Sequence, residues 1–509
     1  MNHNRDGSKL ELCQSRLSYA RQSLGMNAPM KADAILGTPA DVLPVGIDEP
    51  IVFGEDLLHK MDIPGPRYTS YPTADRFVEA VTDEFHALAL KQRRVSAGTA
   101  VLPLSLYIHI PFCESVCYYC ACNKIVTKDH SKSDAYLKAL ESEVSLISSH
   151  LGVREVVSQL HFGGGTPTFL TDAEISRIFD MLKMHFDLAP YGEYSIEIDP
   201  RTVNEDRLIN LKSIGFNRIS FGVQDFDQKV QVAVHRVQPF EQVADLMKIA
   251  RRLGYSSINV DLIYGLPLQT PESFSRTIEL VASIRPDRIA MYGYAHLPSR
   301  FKPQRRINND ELPSGTDRLG MLSTALSGFV SKGYRYIGMD HFALPDDPLA
   351  VAKRQGLLHR NFQGYSTQPD CDLIGLGVSS ISKVGATYTQ NAKTLDEYYD
   401  YISRNMLPTI RGFNLSRDDV LRRSVIMAIM CHGRLNFESV QIAHLIEFKS
   451  YFKNELIELE RLSHDGLLTV QDDGFQLTDL GWYFVRYVAM VFDKYLQVDR
   501  GRGNFSKVI

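Results

Sequence analysis

Short apolar runs that suit β-strands alternate with longer amphipathic runs that suit helices between about residues 100 and 340. The short runs are rich in β-branched and aromatic residues, which is typical of strands buried in a sheet. The predicted strands are 105–110, 159–162, 194–198, 218–222, 257–263, 288–294 and 334–338. The predicted helices between them are 134–149, 174–185, 205–214, 239–253 and 271–284.

Strand and helix patterns that alternate in this way predict an α/β fold, in which helices cover a parallel sheet. Six or more such units indicate a complete or partial (β/α) barrel, whose active site collects at the C-terminal ends of the strands. Residues suited to loops and ligand contact follow the predicted strand ends: Pro111, Gly163, Asp199, Gln224, Tyr264 and Ala295. We therefore expect the site at this edge of the sheet.

The chain before the alternating region follows a different pattern. Residues 1–54 lack steady periodicity and predict a loosely ordered extension, and residues 55–100 predict a segment that covers the substrate. Within that segment, the run Pro64-Gly-Pro-Arg-Tyr-Thr-Ser-Tyr-Pro72 can form neither a helix nor a central strand. It is either a linker or, because its side chains are aromatic and hydrogen-bonding, part of a site.

After about residue 400 the strand pattern fades. The catalytic barrel is predicted over 101–400 and a mainly helical accessory domain over 401–509, covering the barrel mouth. Its predicted helices are 417–430, 439–446, 453–463 and 480–495, with a small hairpin formed by the runs after Gly466 and Gly474. This order resembles a winged helix, but Asp465, Asp472 and Asp473 in the wing argue against contact with DNA phosphates.

Composition and charge exclude several classes of protein. The 509 residues are 44% hydrophobic and 23% charged, which is ordinary for globular proteins. A net charge of −4 gives no reason to expect bulk attraction to nucleic acid or to a membrane. No run reaches the roughly 18 apolar residues of a membrane span, and no secretory signal is visible near the N-terminus. We expect a cytoplasmic protein.

Four of the seven cysteines lie between Cys113 and Cys122, and this clustering favours metal binding over disulfides. The spacing of four and then three residues between Cys113, Cys117 and Cys120 lets three thiolates from one loop hold three corners of an iron–sulfur cube. One iron then keeps an open position, as a catalytic metal requires. The alternative is structural zinc, which usually takes two separated ligand pairs. The scattered cysteines are predicted to be ordinary thiols: Cys13, Cys371 and Cys431.

Two further motifs follow predicted strands. The run His161-Phe-Gly-Gly-Gly-Thr-Pro-Thr168 is rich in glycine, so its backbone can approach a ligand closely, although many such runs are only tight turns. Glu197 and Asp199 share one face of a strand, so both carboxylates are expected in the barrel. Buried carboxylates are costly unless they are paired or bind a ligand, so Glu197 is either a structural acceptor or an acceptor for ribose hydroxyls.

The cysteine spacing, with the aromatic Tyr119 before the third cysteine, resembles the signature of the radical S-adenosylmethionine (SAM) superfamily. The resemblance implies a partial (β/α) barrel of the radical SAM type and a [4Fe-4S] cluster held by Cys113, Cys117 and Cys120. Its open iron would bind the methionine moiety of SAM, and an electron from the cluster would release a 5′-deoxyadenosyl radical. The glycine-rich run would contact the methionine amino group.

Longer stretches resemble one family within this superfamily, the oxygen-independent coproporphyrinogen III oxidases. The similar stretches are 64–74, 107–128, 161–170, 261–274, 294–307, 358–365 and 505–509. Coverage runs from about residue 55 to the C-terminus. The family converts the ring A and ring B propionates of coproporphyrinogen III to vinyl groups, giving protoporphyrinogen IX with loss of carbon dioxide, in porphyrin and haem biosynthesis.

Site residues follow from the same resemblance, which implies two SAM molecules. The molecule on the cluster would lie among Tyr107, Gly164, Glu197 and Ile381. The second would lie among Tyr119, Gly165, Thr166, Gln224, Arg236, Asp261 and Ala295. Tyr107, Cys122 and Arg67 are the expected catalytic residues, with Cys122 near the cluster but not a ligand of it. Cations for the substrate carboxylates would come from Arg67, Arg300, Lys302, Arg305, Arg306 and Arg360.

The implied partners are coproporphyrinogen III and a reduced electron donor such as flavodoxin or ferredoxin, and we expect a monomer that binds neither nucleic acid nor membrane. A related radical SAM protein that chaperones haem is the rival prediction. Such relatives lack the fourth cysteine, here Cys122, and the run Pro64–Tyr71, and both are present. A non-catalytic metal module that contacts DNA is the other alternative.

Overall fold

Strands and helices alternate through the centre of the chain in the predicted order. The computed structural model describes residues 63–97, 101–339 and 341–498, so the predicted extension at 1–54 lies outside it. The strands are β1 Leu104–Ile110, β2 Phe112–Cys113, β3 Ile125–Val126, β4 Val156–Gly164, β5 Asp187–Ile198, β6 Arg218–Gln224, β7 Ser257–Tyr264, β8 Arg288–Gly293, β9 Arg335–Gly338, β10 His341–Ala343, β11 His359–Asn361, β12 Gly364–Ser366, β13 Leu373–Leu376, β14 Ile381–Val384, β15 Thr387–Asn391, β16 Thr409–Asn414, β17 Arg434–Asn436, β18 Leu468–Gln471 and β19 Gly474–Leu477.

The α-helices are α1 Asp83–Ala97, α2 Lys132–Leu151, α3 Asp172–His185, α4 Glu205–Ile214, α5 Gln228–Ala233, α6 Phe240–Arg252, α7 Pro271–Ile284, α8 Gly315–Ser331, α9 Pro348–Arg354, α10 Leu395–Ser403, α11 Arg417–His432, α12 Phe437–His444, α13 Phe448–Tyr451, α14 Lys453–His464, α15 Asp479–Tyr483, α16 Val485–Met490 and α17 Lys494–Val498. Several begin where the sequence supplies a cap. The Thr171 and Thr270 side chains accept hydrogen bonds from backbone amides in the first turns of α3 and α7. Pro271 also lies in the first turn of α7.

The centre of the fold is the parallel sheet β1-β4-β5-β6-β7-β8, with strands in that spatial order. Side chains from β1 through β8 line one cavity, so the sheet curves into the partial (β/α) barrel that the sequence predicted. Alternate side chains of each strand point the other way. Ile196, Phe221 and Val260 are fully buried and belong to the main hydrophobic core.

The face of these strands that points into the barrel is polar. A (β/α) barrel is normally filled by bulky apolar side chains. Here the inward side chains that line the cavity are mostly polar: Tyr107, His109, Gln159, His161, Glu193, Ser195, Glu197, Arg218, Ser220, Ser257, Asn259, Asp261, Ile263, Arg288, Ala290 and Tyr292. The barrel therefore encloses a polar space rather than a packed core.

Short strands that the sequence analysis did not predict widen the sheet on both sides. Within the described ranges the sheet has 12 strands, in the order β16-β15-β14-β13-β1-β4-β5-β6-β7-β8-β10-β9. The predicted strand 334–338 is β9, but β10 lies between it and β8 and pairs antiparallel with both. The sheet continues as far as β16, so it extends past residue 400. The domain boundaries at 54, 100 and 400 stay predictions.

The C-terminal part is mainly helical, with the predicted hairpin present as β18 and β19 and a third strand, β17, beside it. The predicted helix 480–495 is wrong as a single helix, because it is divided into α15, α16 and α17. The backbone leaves the helical region at Phe484 (φ −106°, ψ 23°). The Asp493 side chain then accepts hydrogen bonds from the backbone amides of Tyr495 and Leu496. These bonds cap the start of a new helix.

The proline-punctuated run Pro64–Pro72 is packed into the protein, so it is not a linker. Tyr68 and Tyr71 are fully buried. Tyr68 Oη donates to Asp493 Oδ2 at 3.0 Å, and Arg486 donates to the carbonyls of Gly65 and Pro66. The run therefore joins the N-terminal segment to the last helices of the chain.

In the part of the chain that the structure covers, no helix is both long enough and apolar enough to span a membrane.

The buried contact between Tyr68 and Asp493 gives a test of this packing. In Tyr68→Phe, Asp493 loses a donor while it stays buried, and a buried hydrogen bond to a charged group contributes about 1.5–3 kcal/mol. We expect trypsin to cleave the folded protein after Arg67 roughly 10- to 100-fold faster, because local opening becomes easier. Tyr191→Phe, at an exposed tyrosine, is the control. Equal cleavage of Tyr68→Phe and the parent protein would contradict this account.

Candidate active site

Two adjoining cavities lie along the interior of the barrel. The larger has a volume of about 680 Å³ and the smaller about 340 Å³. The smaller is bordered by the cysteine loop and the glycine-rich run, and the larger extends down the polar interior. Residues that border both cavities are Cys122, Gly164, Glu197, Ser220, Gln224 and Asp261. A ligand in one cavity would therefore meet a ligand in the other.

The cysteine loop places three thiols at the smaller cavity, those of Cys113, Cys117 and Cys120. Thr166 Oγ1 donates to Cys113 Sγ at 3.4 Å. Arg236 Nη1 donates to Cys117 Sγ at 3.5 Å and Arg201 Nη2 at 3.7 Å. Hydrogen-bond donors beside a ligand sulfur atom stabilise the negative charge that the sulfur carries once it binds a metal.

The arrangement of these ligands bears on which metal they suit. Among the described residues, no three His, Cys, Asp or Glu side chains converge on a position for one ion. A structural zinc ion needs such convergence. An iron–sulfur cube does not, because each thiolate binds a different iron atom. Three thiols carried by one loop at the smaller cavity are the donors that such a cube takes.

Cys120 and Cys122 share a hydrogen bond that distinguishes them. Donation from Cys122, together with the charge of Lys124, lowers the pKa of Cys120 to about 6. The same hydrogen bond and burial raise the pKa of Cys122 well above its usual value. Cys120 therefore loses its proton more readily than Cys122. Cys122 keeps its proton, and it borders both cavities.

The glycine-rich run forms a cradle that no side chain would fit. A Cβ on Gly163 would lie 2.8 Å from Glu197 Oε1, one on Gly164 2.6 Å from the His109 ring, and one on Gly165 2.7 Å from the Phe112 carbonyl oxygen. Gly164 also has φ of +110°, a conformation that disfavours other residues. The glycines therefore do more than make a tight turn.

Glu197 and Asp199 both line the smaller cavity, in agreement with the expectation that both carboxylates lie in the barrel, but their partners differ. Glu197 is on β5 and also borders the larger cavity, with Gly164 N at 3.3 Å and His161 Nε2 at 3.2 Å. Asp199 lies just past the strand end and pairs with Arg201 at 2.7 Å and Arg236 at 3.0 Å. Asp199 is thus held by two arginines at the edge of the cavity.

Arg236 lines the smaller cavity, and its hydrogen-bond partners within the described ranges are groups of the protein. Besides Asp199 and Cys117, it donates to the Gly222 carbonyl through Nε and Nη2. Burial opposes its charge, but these partners raise its pKa above the ordinary value. Arg236 therefore braces the cysteine loop against the barrel.

Asp261 is a buried carboxyl at the wall between the cavities. Burial raises its pKa to about 6, although Ser220 Oγ donates to it at 2.7 Å and Asn259 Nδ2 at 2.9 Å. Gln224 borders the same wall and has φ of +69°. Both side chains can offer oxygen acceptors to hydroxyl or amine groups.

Three other residues that the resemblance assigned to the SAM pockets also line the two cavities. Tyr107 lines the larger cavity, stacks on His161 with ring centres 5.9 Å apart, and its hydroxyl lies 3.1 Å from His109 Nδ1. Ile381 lines the larger cavity, and Tyr119 the smaller.

Several predicted residues do not line either cavity. Ala295 is one, and its carbonyl accepts a hydrogen bond from Gln304. The predicted cations outside both linings are Arg67, Arg300, Lys302, Arg305, Arg306 and Arg360. Two of them are close to the larger cavity, because Arg67 stacks on Tyr292 at 5.2 Å and Arg360 on Tyr365 at 4.6 Å, and both rings line it.

The sequence analysis missed Arg201 and the polar floor of the larger cavity. On the floor, Arg218 pairs with Glu193 at 2.7 Å and Arg288 with Asp347 at 2.9 Å. The signal was present as polar residues at alternate positions of β5, β6 and β7, such as Glu193, Ser195 and Glu197 on β5. For a strand, such alternation places them on one face.

Comparison with known proteins gives one consistent family. The model of the radical SAM superfamily matches residues 107–281, and that of the HemN C-terminal domain matches 415–484. The oxygen-independent coproporphyrinogen III oxidase of Pseudomonas aeruginosa is 48% identical over 89% of this chain and 98% of its own length. That of Escherichia coli is 46% identical over 89% and 98%. The solved structure described as coproporphyrinogen III oxidase (HemN) from Escherichia coli, a radical SAM enzyme, superposes with a TM-score of 0.83 at 44% identity, covering 88% of this chain and 100% of that one.

The glycine cradle yields a mutational test. Gly164→Ala would push a methyl group into His109, so we expect affinity for SAM to fall by about 10- to 100-fold, as misplacement in a tight site typically costs. Gly254→Ala is a matched control, since Gly254 also has positive φ but nothing lies within 4 Å of its Cβ. Equilibrium dialysis of the reconstituted protein with labelled SAM measures the effect. Similar affinities in the two variants would show that the cradle does not hold SAM.

Proposed function

The chain belongs to the oxygen-independent coproporphyrinogen III oxidases, a family of radical SAM enzymes, and we propose how its residues perform the family's reaction. The enzyme converts the ring A and ring B propionates of coproporphyrinogen III to vinyl groups, giving protoporphyrinogen IX in porphyrin and haem biosynthesis. The observation that carries our assignment of roles is the pair of adjoining cavities, one bordered by cysteines and one by the polar barrel.

The enzyme uses a [4Fe-4S] cluster and SAM. Cys113, Cys117 and Cys120 hold the cluster, with Cys122 as a neighbour rather than a ligand. This assignment is supported by the donors beside Cys113 and Cys117 and by the hydrogen bond that favours Cys120 as the thiolate. Ligation by three thiolates leaves one iron open for the methionine moiety of SAM.

SAM on the cluster is contacted by Tyr107, Gly164, Glu197 and Ile381, and a second SAM by Tyr119, Gly165, Thr166, Gln224, Arg236, Asp261 and Ala295. The first set lines the larger cavity, which supports its grouping. In the second set all but Ala295 line the smaller cavity. Ala295 contributes through Gln304, which ties its carbonyl and that of Tyr119 together.

The cluster and SAM, when bound, would supply the radical chemistry that takes one hydrogen atom from the β-carbon of a propionate. Each propionate would lose that hydrogen atom, carbon dioxide and one further electron, which passes to a one-electron acceptor, and a vinyl group would remain. The chain's own part is to place the β-carbon near the wall between the cavities and to keep water from the radical. Cys122 borders both cavities and Tyr107 lines the larger one, and we assign both to positioning the reacting group.

Several further properties complete the proposal. The enzyme works as a cytoplasmic monomer, receives electrons from a reduced donor such as flavodoxin or ferredoxin, and binds neither nucleic acid nor membrane. The described cysteines are free thiols, which suits a reducing compartment. The N-terminal segment 55–100 and the helical part after residue 400 cover the substrate, supported by the buried contacts between Pro64–Pro72 and the last helices.

An anaerobic assay tests the proposal as a whole. Protein reconstituted with iron and sulfide, then reduced, should form 5′-deoxyadenosine, and with coproporphyrinogen III it should form protoporphyrinogen IX. Absence of 5′-deoxyadenosine would end the radical assignment. Its formation without a vinyl product would favour the haem-chaperone alternative.

Substitution of the loop cysteines tests the division between ligands and neighbour. We expect Cys113→Ser, Cys117→Ser and Cys120→Ser to lose the cluster absorbance after reconstitution, because serine is a poor ligand for this cluster. Cys122→Ser should keep the absorbance while losing product formation. Loss of the absorbance in Cys122→Ser would contradict our ligand assignment. Cys371→Ser, at a buried cysteine away from both cavities, controls for general effects.

A further inference from the structure

The cluster must receive an electron, so a protein that carries the electron must come close to the cysteine loop. Within this loop, Cys117 and Tyr119 line the smaller cavity. Tyr118, which lies between them in the chain, lines neither cavity and is partly exposed. Tyr118 therefore marks the side of the loop that faces away from the cavities, where a protein from solution can approach.

A basic segment, Arg300–Arg306, lies against this side of the loop. The Arg306 guanidinium is 5.2 Å from the centre of the Tyr118 ring, and its Nη1 donates to Tyr118 Oη at 3.5 Å. The side chain of Gln304 is buried and donates to the Tyr119 carbonyl at 3.0 Å. These contacts with a side chain and with the backbone of the loop fix the basic segment beside it.

The basic segment concentrates positive charge in a chain whose net charge is −4. Between Pro298 and Asn309 the sequence contains four arginine or lysine residues and no aspartate or glutamate. All four are exposed, line neither cavity and form no ion pair in the part of the chain that the structure describes: Arg300, Lys302, Arg305 and Arg306. Their charges are therefore directed to solvent rather than to a ligand inside the barrel.

Exposed apolar side chains lie beside the same tyrosine. The Tyr118 ring stacks on His235 with ring centres 5.2 Å apart, and the Tyr118 amide donates to the Val234 carbonyl at 3.0 Å. Val232 and Val237, both within three residues of His235, are 60% and 51% exposed. Apolar side chains beside charged ones are typical of a surface that binds another protein.

A small hydrophobic core holds both parts of this surface on the loop. Val230 and Val234, at α5, pack with Ile307, which follows the basic segment, and Tyr118 and Tyr119 pack against the same cluster. The apolar and the basic parts are therefore fixed relative to the cysteine loop before any partner arrives. A surface formed in advance loses less conformational entropy on binding.

We propose that an acidic protein that carries one electron binds a surface formed by the basic segment and four side chains beside it, Tyr118, Val232, His235 and Val237. We call this the donor surface. The donor loses one electron and the oxidised cluster gains it, so no further reactant is needed. Positive charge on the donor surface selects an acidic partner and speeds its arrival. This inference rests on the proposed function, in which a reduced protein supplies the electron.

Rapid mixing of the reconstituted full-length protein with reduced flavodoxin tests the inference. We expect the triple variant Lys302→Gln/Arg305→Gln/Arg306→Gln to lower the second-order rate constant of cluster reduction by roughly 10- to 100-fold at low salt, because steering by charge is lost. Loss of the cluster absorbance measures this rate. Added salt should slow reduction of the parent protein but change the variant little, since salt screens exposed charges.

A binding measurement and a matched control make the result specific. Affinity for oxidised flavodoxin, measured by fluorescence anisotropy, should fall in the triple variant and also in Val237→Glu, which places a carboxylate opposite an acidic partner. The control Lys449→Gln/Lys453→Gln/Arg461→Gln removes three exposed cations from α13 and α14. It changes the net charge equally, so it should keep the parent rate and affinity.

Reduced methyl viologen supplies electrons without a protein donor. This small cation gains nothing from a basic surface, so it should reduce the cluster of the triple variant no more slowly than that of the parent protein. With viologen as the reductant, the variant should also keep the parent KM for coproporphyrinogen III, because the three cations line neither cavity.

Three results would overturn the inference. One is an equal rate constant for flavodoxin in the triple variant and the parent protein. Another is slower reduction of the variant by viologen, which would mean that the substitutions damage the loop. The third is a higher KM for coproporphyrinogen III, which would mean that these cations hold the substrate. Failure of the proposed function is a different result, because the parent protein would then form no protoporphyrinogen IX even with viologen.

Discussion

The alternation of side chains along the parallel strands is the constraint on which the rest of this structure depends. On β5, Ile196 points to the helices and is fully buried, while Ser195 and Glu197 on either side of it point into the barrel. A sheet of this kind needs its outer face to be apolar, because the helices pack there. Its inner face is free to be polar only if something other than side chains fills the space. The polar interior therefore indicates that ligands fill the space inside the sheet, while the apolar outer face accounts for the folding.

Arginine side chains around the cysteine loop hold this reactive loop on the rigid barrel. Arg236 joins Cys117, Asp199 and the Gly222 carbonyl, so one side chain links the loop to the ends of β5 and β6. Removal of such a residue would leave Asp199 with Arg201 alone and would free the loop on one side. Rigid support of this kind is what keeps a metal site in its working geometry.

Much of the barrel followed from the sequence because its signals are local. The helix predicted over 239–253 is Phe240–Arg252 in the structure, since Pro239 caps it. The cysteine and glycine-rich motifs were also local, and the structure brings them to one cavity.

The parts of the structure that could not be predicted depend on residues that are distant along the chain. The strands from β13 to β16 are short and mixed in polarity, and they form because an edge of the sheet is available. The burial of Tyr68 depends on Asp493, more than four hundred residues away along the chain.

The same long-range packing explains why the N-terminal segment matters to a site built by the barrel. Arg486 and Asp493 hold Pro64–Pro72 from one side, and Arg360 on β11 holds the Arg67 carbonyl from the other. The Arg67 backbone is thus fixed by elements from both parts of the chain, and its side chain reaches Tyr292 on β8. Among the described residues Arg360 forms no ion pair, and burial of such a charge opposes folding. Its two hydrogen bonds to the Arg67 carbonyl offset part of that cost, so the N-terminal segment and β11 stabilise each other.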